Sequence, residues 1–269
     1  MNASAAIPPF ALPAIDVHGH YGRARQRSAH LEEMLTADAA LVARRAKLAH
    51  IEWTVVSPLL GLFPRGGASA EVGNIEAFDV VPKTPGLRQW VIVNPLEPKT
   101  YAQAETMLQA PWCLGIKIHP EEHVYPIKEH GRALFEFAAR HRAVVLAHSG
   151  GANSEPLAFV PFANDFPEMK LILAHLGHMD VGDYQQQVRA IQASRQGNVF
   201  TDTSSSKSIL SGLIEWAVRE VGADRILFGT DTPLYFAASQ RMRVEQAEIS
   251  PEDRRKILAE NARKLLRFG

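Results

Sequence analysis

Ala14-Ile15-Asp16-Val17-His18-Gly19-His20 is an apolar run that ends in two imidazoles. Ala143-Val144-Val145-Leu146-Ala147 runs into His148 in the same way. Leu171-Ile172-Leu173-Ala174 runs into His175, and Ile226-Leu227-Phe228-Gly229-Thr230 into Asp231. Leu114-Gly115-Ile116-Lys117-Ile118-His119 closes a fifth run with a lysine and a histidine. Continuous runs of this kind read as strands buried on both faces of a parallel sheet. Eight such strands are predicted: Ala14–His18, Thr54–Pro58, Gln89–Asn94, Gly115–His119, Ala143–His148, Lys170–His175, Val199–Thr203 and Arg225–Asp231.

Helical patterns fill the gaps: His30–His50, Lys99–Gln109, Glu129–Arg140, Ser154–Asn164, Asp183–Ser194 and Ser208–Val221. Pro156 and Pro161 break the fourth of these. A last helix is predicted from Ser250 as N-cap, with Pro251 at the first position and Asp253 as a capping-box partner. Alternation of this kind predicts an α/β fold, a (β/α)8 TIM barrel, regular or distorted. The 269 residues sit near the roughly 250 of that architecture. No linker or composition shift divides the chain, so residues 1–269 are expected to form one barrel domain. Residues 1–13 would be an extended lead-in. Pro64–Ala70 is the best candidate for a mobile lid.

Composition narrows the function classes. Lys plus Arg number 29 and Asp plus Glu 29, so nothing points to nucleic acid or an anionic membrane. No apolar run approaches the ~20 residues of a membrane span, and no secretory signal is evident. The single cysteine, Cys113, allows no internal disulfide, which suits a cytoplasmic setting. Nothing local would activate its thiol as a nucleophile. The expected partner is a small-molecule substrate, and a homodimer is compatible with the sequence.

Strand ends that converge on imidazoles and a carboxylate are what a metal centre at one barrel mouth requires. His18 and His20 are two apart on a strand and face the same side. Asp16 shares that parity, one layer lower, where it would orient a ligand imidazole. His148, His175 and Asp231 each follow an apolar strand, and together they raise a metal site above the alternative of satisfied core histidines. Asp231 would ligate metal and take a proton from bound water, whose pKa zinc lowers to about 7; the plainer reading is an N-cap or Asx-turn. Lys117 admits three roles: a carboxylated bridge between two metals, an ammonium that binds substrate, or a charge-paired structural lysine. His119 would contact substrate or cap the loop before Pro120.

In order, His18-x-His20, Gly115-Ile116-Lys117-Ile118-His119-Pro120, His148-Ser149-Gly150, His175-Leu176-Gly177, Asp202 and Gly229-Thr230-Asp231-Thr232-Pro233 resemble the amidohydrolase superfamily. The nearest branch is the amidohydrolase-related TIM-barrel hydrolases, which include decarboxylases like aminocarboxymuconate semialdehyde decarboxylase. The resemblance implies His18, His20, His148 and Asp231 as ligands of one ion, with His175 as acid or base. In a two-ion arrangement, Lys117 would bridge, and His148 and His175 would hold the second metal. The cofactor is one or two divalent ions, zinc first, with Mn, Fe or Co also admitted.

Three functions follow. The first is a hydrolase in which metal-bound hydroxide attacks an ester, lactone or amide carbonyl, with Asp231 or His175 moving the proton. The second is a non-oxidative decarboxylase of a small unsaturated or aromatic acid, which needs a basic clamp from Arg23, Arg25 or Arg65. Solvated surface arginines are the plain alternative for these three. The third is a non-catalytic, metal-containing ligand-binding barrel.

Overall fold

The computed structural model describes residues 10–180, 183–205 and 209–268. Eight parallel strands run in the order of the chain: β1 (Ala14–Tyr21), β2 (Ile51–Pro58), β3 (Leu87–Ile92), β4 (Cys113–Ile118), β5 (Val144–Ala147), β6 (Lys170–Leu173), β7 (Val199–Asp202) and β8 (Ile226–Leu227). The ring closes where β1 meets the segment after β8. Val17 N donates to Phe228 O at 2.9 Å, Asp231 N to His18 O at 2.7 Å and His20 N to Thr232 O at 2.6 Å. Helices between the strands make this the (β/α)8 TIM barrel that the alternation implies.

Ile15, Val17, Val55, Trp90, Val144, Leu146, Ile172 and Leu227 form one buried cluster of strand residues. The Trp90 indole donates to Val17 O at 2.8 Å, so even this large ring leaves no polar atom unpaired. Outer strand faces bury against the helices. The Ile127–Arg140 helix, for example, buries Leu134, Phe135, Phe137 and Ala138.

Several predicted elements differ. The single helix expected over His30–His50 is two, Ala29–Leu35 and Ala39–Leu48. Asp38 caps the second helix, and Ala37 exchanges backbone hydrogen bonds with Gly22. A helix at Ala70–Val80, and another at Ala237–Glu245, were not apparent from periodicity. The helix predicted over Ser208–Val221 is seen at Leu213–Val221, and its proposed start at Ser208 lies outside the described residues. Residues 1–9 of the expected lead-in also lie outside them. Ser250 caps the last helix as predicted, its hydroxyl accepting from Asp253 N at 3.0 Å. Among the described residues no helix is long and apolar enough to cross a membrane.

Candidate metal centre

The five chemical strand ends meet at the C-terminal mouth of the barrel. His18 and His20 lie within β1, while Lys117 lies within β4. His119 and His148 directly follow β4 and β5, and His175 and Asp231 lie beyond the ends of β6 and β8. His175 (φ 71°) and Asp231 (φ 57°) both adopt left-handed backbone. Non-glycine residues hold that conformation infrequently, although Asp and His are enriched there.

His18, His20 and Asp231 present ligand atoms within 4.8 Å of one another, all buried. The Asp231 Oδ1 atom lies 3.1 Å from His20 Nε2 and 3.6 Å from His18 Nε2. The other nitrogen of each ring is committed. His20 Nδ1 is 3.0 Å from Ser57 O, which only accepts, so that nitrogen carries hydrogen. His18 Nδ1 is 2.9 Å from Asp202 Oδ2, with the same consequence. Both Nε2 lone pairs therefore face a carboxylate oxygen, and three acceptors in one place fit a cation. Burial first, then the nearby Lys117, His20 and His148, hold the His18 imidazole well below its ordinary pKa, the neutral form that a metal ligand needs.

Lys117 is fully buried, with Nζ 3.0 Å from His18 Nε2. Burial pushes its pKa down to about 8, and Asp231 and Asp202 oppose the shift. His148 Nδ1 is 3.1 Å from His175 Nε2. The His148 ring also stacks on His119, with centroids 4.1 Å apart. Burial holds His119, His148 and His175 well below the usual histidine range. His119 Nδ1 accepts from Glu122 N at 3.2 Å, so its hydrogen is on Nε2.

A second donor set, His18, His175 and Asp202, also lies within 4.8 Å. The Asp202 oxygens are already taken by His18 Nδ1, His175 N, Ser204 N and the Ser204 hydroxyl. Asp202 is thus placed to orient His18 rather than to offer a free oxygen. That role was expected of Asp16. In β1, however, the three-residue step from Asp16 to Gly19 matches a two-residue step, Thr54 to Val56, in β2. This bulge breaks the strict alternation of side chains. Asp16 instead accepts from His18 N at 3.0 Å, Thr230 N at 2.9 Å and the Thr230 hydroxyl at 2.6 Å. Burial raises its pKa to about 8 against those hydrogen bonds.

A pocket of about 160 Å³ opens over the centre. His18, His20, His119, His148, His175, His178 and Asp231 line it together with Leu59, Leu62, Phe63, Leu234 and Tyr235. Arg65 and Glu122 also line it, joined by a 2.9 Å ion pair, and Gly66 N donates to Glu122 O at 2.7 Å. The segment expected to form a lid is thus tied to the loop after β4. Arg23 is not among the lining residues. Its side chain is 70% exposed and pairs with Glu32. A larger hollow of about 410 Å³ opens beside Cys113 and Ala143 at the opposite ends of β4 and β5, with no cluster of metal donors among the described residues. Cys113 itself is buried, and burial pushes its thiol up to about 12.

A family pattern described as Amidohydrolase matches residues 69–268. The chain belongs to the amidohydrolase family. The matched span begins after His18 and His20, so only the fold brings those two to the centre. No protein of curated function matches the sequence. Among solved structures, a 2,6-dihydroxybenzoate decarboxylase from Rhizobium is similar, with TM-score 0.71, 16% identity, and coverage of 94% of this chain and 98% of that one. A 5-carboxyvanillate decarboxylase from Novosphingobium aromaticivorans DSM 12444, complexed with manganese and 4-hydroxy-3-methoxy-5-nitrobenzoic acid, gives TM-score 0.73 at 14% identity, covering 95% and 96%. A dihydroxybenzoic acid decarboxylase from Polaromonas sp. JS666, with bound manganese and the inhibitor 2-nitroresorcinol, gives 0.73 at 16%, covering 94% and 96%. At these identities the likeness is one of fold.

Proposed function

We propose that the protein is a metal-dependent non-oxidative decarboxylase of a small, single-ring or unsaturated carboxylic acid. The pocket carries this reading. A cavity of about 150 Å³ accommodates benzene, and this one, near 160 Å³, combines metal donors, an apolar lining and a guanidinium. The similar folds bind or act on substituted benzoates, which favours decarboxylation over the hydrolysis ranked first on sequence.

His18, His20 and Asp231 would hold a divalent ion, Mn or Zn, with His148 as a further ligand. Such an ion supplies Lewis-acid stabilisation of negative charge on substrate oxygens. Arg65 binds the substrate's carboxylate or hydroxylate side, displacing part of its bond to Glu122. His119 offers an Nε2–H donor to a substrate oxygen. The bond between the carboxyl carbon and the ring or vinyl carbon breaks, and the electron pair stays on the latter as carbon dioxide leaves. That carbon then takes one proton, which Asp231 and His175 are assigned to handle. The apolar lining excludes bulk water from the carbanionic carbon.

Hydrolysis is the second reading, kept by the family's own description. In it Asp231 takes a proton from water, and a carboxylated Lys117 would bridge two ions. The deciding experiment loads the enzyme with Mn or Zn and offers carboxyl-labelled hydroxybenzoates beside esters, lactones and amides. Release of labelled carbon dioxide supports the proposal. Cleavage of an ester, lactone or amide without it supports hydrolysis. Inertness toward the whole panel with metal bound would leave a ligand-binding barrel.

A further inference from the structure

Behind the ligands lies a chain of hydrogen bonds from Asp202 through Ser204 and His175 to His148. Asp202 and Ser204 are completely buried, so no solvent competes for these contacts. The Ser204 hydroxyl is 2.5 Å from Asp202 Oδ1, 2.7 Å from His175 Nδ1 and 3.1 Å from His18 Nδ1. A carboxylate brings no hydrogen to a hydrogen bond, so the one between Ser204 and Asp202 is the serine's own. With its only hydrogen spent, Ser204 Oγ accepts from His175, whose hydrogen must then sit on Nδ1. His175 Nε2 is left with a lone pair, 3.1 Å from His148 Nδ1, which has to donate. The His148 hydrogen is thereby placed on Nδ1 and its Nε2 lone pair is left free.

We infer that Ser204 is a positioning residue that selects the tautomer of His175 and, through it, of His148. Its hydroxyl acts as a converter. Asp202 accepts directly from His18, and Ser204, its hydrogen spent on Asp202, presents only an acceptor to His175. Three histidines from β1 and the loops after β5 and β6 are thus set by one acidic anchor after Gln240 Nε2 has fixed the serine carbonyl at 3.0 Å. Ligand imidazoles depend on such partners for ring orientation and for which nitrogen meets the metal. The bearing on catalysis rests on the decarboxylase reading above; the tautomers themselves do not.

The test is long-range proton–nitrogen NMR on metal-free, 15N-histidine-labelled protein. In the wild type, His175 and His148 should both carry hydrogen on Nδ1. Ser204→Ala should move His175 wholly or partly to the Nε2–H form, and Ser204→Thr, which keeps the hydroxyl, should restore the wild-type pattern. Manganese affinity should fall about 10- to 100-fold in Ser204→Ala and stay near wild type in Ser204→Thr. A wild-type His175 bearing hydrogen on Nε2, or a Ser204→Ala spectrum with unchanged tautomers, would overturn the inference. A wild-type spectrum with His175 hydrogen on Nε2 overturns the inference even if neither variant folds. Failure to release carbon dioxide from any acid would sink the functional reading and leave the nitrogen assignment intact.

Discussion

Replacing Lys117 by Met should make the metal-free protein more stable. The Lys117 ammonium is fully buried, and burial holds its pKa at about 8 against an ordinary value of 10.5. That gap corresponds to about 3 kcal/mol of penalty on the charged form at neutral pH. Methionine has similar length and no charge, so it removes the penalty without opening a large cavity. It also removes the 3.0 Å donor to His18 Nε2, a loss of about 1 kcal/mol. The net gain is about 2 kcal/mol, or about 4–8 °C in Tm for a domain of this size. The sign follows from a depressed folded-state pKa. The penalty is complete below about pH 8 and disappears as pH rises toward 10.5, so the variant's advantage should shrink over that window. Urea denaturation of chelator-treated wild type and Lys117→Met, at pH 7 and pH 10.5, measures both. A variant no more stable at pH 7, or an advantage of the same size at both values, would refute the reasoning. Higher stability with lost turnover would mark Lys117 as a residue kept for function at a cost to the fold.

Other outcomes follow from the same geometry. His18→Ala and Asp231→Ala should each lose bound metal and all turnover while keeping the wild-type circular dichroism, with elemental analysis as the check; full metal retention would remove that residue from the centre. Asp16 has its pKa raised to about 8 by burial, so its contribution is complete below about pH 4 and is lost as pH rises toward 8. Asp16→Asn should flatten the fall in Tm across that range, and a slope identical to wild type would be the contrary result. Arg65→Ala should raise KM for an anionic acid by about 10- to 100-fold, the worth of one charge-assisted hydrogen bond, with a smaller change in kcat; an unchanged KM would clear Arg65 of substrate binding.

The barrel was legible because short apolar runs such as Val144–Ala147 and Leu171–Leu173 alternate with longer helical patterns along the whole chain. The Ala70–Val80 helix was not. Its contact with the loop after β2 is backbone to backbone, since a Cβ on Gly73 would lie 2.7 Å from the Gly61 Cα. Packing of that kind uses small residues and leaves little apolar periodicity to read. Ala37 and Asp38 carried the break in the first helical stretch, but Asp in an Ala- and Leu-rich pattern also reads as a solvent-facing residue. At the site, residue types and strand ends could be read, whereas a one-residue bulge in β1 cannot be, and it moved Asp16 from ligand support to strand closure. Asp202 and Ser204 carry the signature of a helix cap, and only their three-dimensional contacts with His18 and His175 distinguish the two roles. Arg65, sharing a loop with two glycines, looked no different from Arg23 until the fold brought it to the pocket.

Closure of the ring between β1 and the segment after β8 would also give a bound ion a part in assembly. Its proposed donors come from the opening strand and from Asp231, near the far end of the chain, where Asp231 N donates to the His18 carbonyl and His20 N to Thr232 O. A nascent barrel with seven strands in place would offer His18, His20 and His148 without the Asp231 carboxylate. High affinity would therefore arise only once the seam is shut, and by mass action such an ion would favour that shut state over every open one. Metal scarcity should then be felt first as slow or reversible joining of the two chain ends, before any loss of chemistry in molecules already sealed.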